Sequence, residues 1–265
     1  MNLTRAHVVL RMRTIGEVLD LACKVFVTGT LSLYLKLAAI VLLPVYAGCL
    51  VLRYALGWSW LAVWLVAAGA ASVLQGVFTV AAGRYLFAET LTVREVLGAF
   101  GKRFGPYLGA LIISRFFIGV AALFIVILPF AWMRSLFVHE ACLLEMASSG
   151  GAVKRASRFV QADGARAFQM LLLLVLAQLG FVLVAELLGH GIVDTVLQLG
   201  QPFEVLWRNG GSAYALLGFL ASVPYIATAR FLLYIDRRTR IDGWDIQLRF
   251  MAIAANDAQH RRLAA

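Results

Sequence analysis

Three residues of this chain combine chemical capability with an unusual setting. Arg115, His139 and Glu140 are a fixed cation, a titratable imidazole and a carboxylate, and each falls within or beside a long apolar stretch. A charge in the middle of a hydrocarbon layer costs roughly 2.5–3.5 kcal/mol on insertion scales, so it is kept where it has a partner or lines a water path. Arg115 lies about eight residues into one stretch and Glu140 about six from the end of the next; at about 1.5 Å per helical residue, both fall roughly 9–12 Å from the same boundary. The spacing predicts that Arg115 and Glu140 face each other with His139 nearby. Two chemistries fit the trio: an ion pair pinning one helical hairpin, or a relay for a proton or an ion.

Little else invites chemistry. Glu186, His190 and Asp194 recur every four residues at the end of another stretch. Such a trio has metal-ligand types, but hydration of an acidic patch at a helix exit explains it as well, and no metal is expected. There is no GxSxG turn, HExxH helix, phosphate-binding loop or pair of catalytic carboxylates. The reading is therefore of a chain that is not an enzyme, with no catalytic residue and no cofactor.

The elements holding these residues follow from composition. Hydrophobic residues make up 62% of 265 positions and charged residues 14%, against about 45–50% and 25% in an ordinary soluble domain. The runs 54–83, 167–185 and 209–229 contain no Asp, Glu, Lys or Arg. A bilayer core needs roughly 20 apolar residues as helix, and no period-2 alternation suggests a barrel. Six spans are predicted, near 33–53, 60–83, 107–128, 130–146, 167–189 and 213–235. The fourth is the shortest and most polar, and Pro129 is its expected break.

Charge orients them. Segments 1–36, 84–106, 147–166 and 230–265 hold 5, 4, 4 and 7 Lys and Arg, 20 of the 24 present, while Arg53, Arg134 and Arg208 fall on the other side. By the positive-inside rule, six crossings with both termini in the cytoplasm satisfy this distribution. The net charge of +10 is explained the same way, since the basic residues are scattered over loops; nucleic acid is not an expected partner. The three cysteines show no CxxC spacing, and residues 1–13 lack the apolar core and cleavage site of a signal peptide.

A repeat organises the chain. Thr14-Ile15-Gly16-Glu17-Val18-Leu19 recurs as Thr92-Val93-Arg94-Glu95-Val96-Leu97, and both copies open with the Thr-x-x-Glu of a capping box. A fainter third copy starts near Ser149, with Lys154, Arg155 and Arg158 as its charges. Interfacial amphipathic helices are predicted at 14–28, 92–104 and 149–161, each leading into a membrane hairpin. They serve either as elbows that orient the spans or as a surface for lipid headgroups or a cytoplasmic protein. The predicted tail 236–265, with Arg237, Arg238, Arg240 and the interfacial anchor Trp244, belongs to the same layer. Lys36, Arg84 and Arg230 are placed to snorkel toward phosphate, or to ring a headgroup pocket.

The ending Pro224-Tyr225 through Arg230, Tyr234, Asp236-Arg237-Arg238-Thr239-Arg240 and Gly243-Trp244-Asp245 resembles that of a group of bacterial membrane proteins. The group includes the membrane domain attached to some glycerophosphodiester phosphodiesterases. Glu145 followed by Ala152-Val153-Lys154-Arg155-Ala156-Ser157 looks like that group's loop between the fourth and fifth spans, with Ala156 intervening before the serine. The resemblance implies a six-helix module of the bacterial inner membrane, often accessory, without the phosphodiesterase domain, for which there is no room. The expectation is thus a single all-α polytopic membrane bundle over 1–265, an accessory or scaffold module for lipid or a cytoplasmic partner, or else a transporter or lipid-translocating protein. A homo-oligomer is compatible with this reading.

Overall fold

The computed structural model describes residues 12–86, 91–124, 126–200 and 202–243. The described residues are overwhelmingly helical, with no strand among them. Five helices are long and apolar enough to cross a bilayer: α2 (Leu31–Leu50), α3 (Trp60–Tyr85), α4 (Val93–Ala122), α8 (Gly164–His190) and α10 (Ala213–Asp242). Wider π turns, Val51–Ala55 and Gly191–Val196, prolong α2 and α8. The chain is an all-α, multi-pass membrane protein.

Four of these helices start where the sequence supplies an oxygen for an orphan amide. Ser59, Thr92, Asp163 and Ser212 each accept a hydrogen bond from the third helical N–H, at Ala62, Glu95, Arg166 and Ala215. Both predicted capping boxes form, and the first opens the amphipathic helix α1 (Ile15–Lys24). The third copy is α7 (Ser149–Gln161), capped by Ser148. The copies differ at the elbow. A π turn and Thr30 separate α1 from α2, and Ala162 and Asp163 separate α7 from α8. The second copy has no elbow: 92–104 forms the first turns of α4, which runs on through Pro106.

The fourth predicted span is corrected. Residues 130–146 do not form a crossing helix but two short ones, α5 (Leu128–Arg134) and α6 (Val138–Leu143). Pro129 opens α5, where its missing N–H costs nothing, and the break comes at Ser135–Phe137. The chain still travels back along α4, because Ser149 Oγ donates to the Pro106 carbonyl at 2.8 Å. Pro44 and Pro224 likewise lie inside continuous helices.

The last helix is the axis. α10 packs on α8, α3, α1 and α2, and is by far the most buried of the five long helices. Small residues permit this. A Cβ on Gly218 would sit 2.5 Å from the Phe181 carbonyl oxygen, so glycine lets α8 and α10 touch backbone to backbone. Of the glycines spaced four apart at the start of α4, Gly109 meets Ser149, whereas Gly101 and Gly105 face open space. The predicted tail is corrected as well, because 236–242 forms the closing turns of α10, ended by Gly243 at φ +58°. Trp244 and the rest of the tail lie outside the described residues.

Candidate functional site

Polar side chains meet in the interior where α3, α4, α6 and α10 converge. α3 supplies Ser72 and Gln75, one turn apart on one face. Arg115 on α4 donates from Nη2 to Ser72 Oγ at 3.1 Å. Arg230 on α10 donates from Nη1 to Gln75 Oε1 at 3.2 Å and from Nη2 to the Leu136 carbonyl. Its Nη2 also lies 3.5 Å from Glu140 Oε2, and Glu140 is fully buried. Tyr107 brings its hydroxyl to 2.8 Å from His139 Nδ1, and to 2.9 Å from the Ser72 carbonyl. A phenol has one proton, so when it donates to that carbonyl the imidazole must carry its hydrogen on Nδ1.

A cavity of about 690 Å³ opens beside this cluster. Residues of α3, α4, α8 and α10 line it, together with Leu128 and Trp132 of α5. Its lining is apolar except for Ser72, Gln75, Arg115, Gln178, Arg230 and the Trp132 indole. Leu65 and Ile112 are lining residues yet 67% and 62% exposed, so the cavity opens sideways, toward where lipid would be. Its volume is in the range of about 300–1,000 Å³ typical of small-molecule sites.

The predicted pairing is revised by this geometry. The guanidinium beside Glu140 belongs to Arg230, and Arg115 is held by Ser72 instead. The depth arithmetic assumed a straight fourth helix, and the two-piece return turns Glu140 toward α10. His139 does lie in the same cluster, on Tyr107. Arg230, expected to snorkel outward, is only 8% exposed and is an interior residue.

The other expected contact residues divide in the same way. Arg237 is 2% exposed and donates to the Phe159 carbonyl at 2.5 Å. Arg155 pairs with Glu145 at 3.0 Å and Asp242 at 2.5 Å while stacking on Phe159 at 4.4 Å. Tyr234 donates to Glu145 at 2.5 Å, and Arg238 lies 3.7 Å from the same carboxylate. Arg240 pairs with Asp236 at 2.9 Å. Lys36, Arg84, Lys154 and Arg158 are exposed. So among the residues that carry the resemblance, Glu145, Arg155, Tyr234 and Arg237 stitch the end of α6, α7 and α10 together, while Asp236 joins α10 to Arg166 of α8.

At the opposite end, carboxylates fasten the connection between α8 and α10. Glu186 is 1% exposed; it accepts from the Leu206 amide at 2.7 Å, which opens the short helix α9 (Leu206–Asn209), and from Ser212 Oγ. His190 stands 3.3 Å from both Glu186 and Asp194, on opposite ring nitrogens, so the three do not converge on one point. No metal-binding group of three is present among the described residues. Glu204 takes Arg53 and the Trp60 indole N–H, the latter at 2.5 Å. The Arg53 hydrogen bond holds the Glu204 carboxyl below its usual range.

Ser72, Gln75, Tyr107 and Gln178 were missed by a search for charges, although two amides inside charge-free runs, Gln75 in 54–83 and Gln178 in 167–185, are the signal that marks the cavity wall. Comparison with protein-family models, curated proteins and solved structures returns no match for this chain.

Proposed function

We propose that this chain is a non-enzymatic protein of the bacterial inner membrane that takes a lipid-like amphiphile sideways from the bilayer into the cleft between α3, α4 and α8. One observation carries the reading: a largely apolar cavity, open toward lipid, has guanidinium and amide groups gathered at one part of its wall. Apolar lining suits a chain, and the polar cluster suits a head, so the site matches the two halves of an amphiphile. Both termini and the basic end are placed in the cytoplasm under this reading.

Gly69 supplies the test, because it lines the cavity and nothing lies within 4 Å of where its Cβ would stand. Gly69→Trp is expected to fill the cleft without disturbing the helix packing. Native mass spectra of the purified protein should then lose the retained lipid that the parent shows; equal retention would remove the basis for this function. The orientation has its own check. A cysteine at Lys154, which is exposed on α7, is expected to react with an impermeant maleimide only after the cytoplasmic side is opened. Reaction in intact cells would invert the assignment.

A further inference from the structure

We infer that the polar part of this cleft is a site for the phosphate of a net-anionic lipid headgroup, one with no cation of its own, with Arg115 as its main ligand; the inference rests on the lipid-uptake reading above. Arg115 and Arg230 both line the cavity. Ser72 and Gln75, which receive them, are neighbours at i and i+3 on α3, so the two guanidiniums approach along one helix face. Glu140 is the carboxylate beside this pair, and it sits against Arg230 at 3.5 Å. Arg115 therefore brings a positive charge balanced only by a hydroxyl, at a depth where a solitary charge is costly.

The open donors point the same way. Arg115 Nε is buried without a hydrogen-bond partner, and so is Gln75 Nε2, on a side chain 8% exposed. Two orphan N–H groups and a surplus cation beside an apolar cavity call for a ligand with an anionic, multi-acceptor head and a hydrocarbon body. Phosphate has the oxygens to take a guanidinium fork and an amide together. The lateral opening lets the remaining chain of a two-chain lipid stay in the bilayer.

The test uses the full chain in nanodiscs made with mixtures of phosphatidylglycerol and phosphatidylcholine of matched chains, with bound lipid read by native mass spectrometry. The protein is expected to retain phosphatidylglycerol in preference by about tenfold, as one charge-assisted hydrogen-bond pair would give. Arg115→Gln should bring the ratio near parity, and Arg115→Lys, which keeps the charge but loses the fork, should fall between them. An unchanged preference in Arg115→Gln would overturn the inference; should that variant not fold, an unchanged preference in Arg115→Lys would do so. Excess inorganic phosphate is expected to leave the lipid in place; its displacement would assign the site to a free anion instead. If the parent retains lipid without preference and Gly69→Trp still expels it, the headgroup assignment fails while lateral uptake stands. If Gly69→Trp expels nothing, the uptake reading itself fails.

Discussion

Arg230→Met is expected to lower the unfolding free energy in mixed micelles by about 3–5 kcal/mol, the range seen when one partner of a buried ion pair is removed. The residue is 8% exposed, and its guanidinium serves Glu140, Gln75 and the Leu136 carbonyl together. Without it Glu140, whose two oxygens have no hydrogen-bond partner, is left with no cation. The double variant Arg230→Met with Glu140→Leu removes both charges and is expected to recover most of the loss, since apolar residues of similar volume replace buried pairs well. A single-variant loss below about 1 kcal/mol, the value of an exposed pair, would mean that water reaches this cluster freely.

Asp236→Ala should have an effect of similar size at the basic end. Asp236 is 3% exposed and accepts from the Arg13 amide at 2.8 Å, Arg166 at 3.0 Å and Arg240 at 2.9 Å. Arg166 and Arg240 also donate to the Arg13 carbonyl. One carboxylate thus ties the entry to α1, the start of α8 and the end of α10. Its loss leaves two guanidiniums crowded without their anion, at an expected cost of about 3–5 kcal/mol. Asp236→Asn keeps an acceptor and should cost less. Limited proteolysis gives an independent readout, with cleavage before α1 expected to rise in Asp236→Ala. Equal effects of the two substitutions would show that the charge is not what matters there.

How far the sequence reaches is seen in particular residues. Thr14 and Glu17, Thr92 and Glu95, and the start of α7 at Ser149 are local signals, written within one helical turn, and the structure has them. The five long helices follow from runs without charge, a signal also confined to each segment. What depended on a neighbour was harder to read. The partner of Glu140 comes from 90 residues further along, at Arg230, and no periodicity encodes that. The motif at 236–240 illustrates the opposite error: it looks like a solvated tail, yet Asp236 and Arg237 are buried, because α10 continues through them and α1, α7 and α8 pack against it, while Arg240 stays exposed. Counting charge grouped Arg13, Arg166 and Arg240, which do lie together, but could not say which cations face inward.

The unwound step at Ser135–Phe137 bears on how the protein is made. Neither α5, 7 residues, nor α6, 6 residues, is long enough to span a bilayer by itself. Backbone groups exposed at such a break need partners inside the protein, and the Leu136 carbonyl finds one in Arg230. That arginine sits on α10, which follows the other helices among the described residues, so the return segment gains this partner only once α10 is in place. Assembly of this bundle is therefore not a sequence of hairpins added in order; its fourth leg is completed by its sixth.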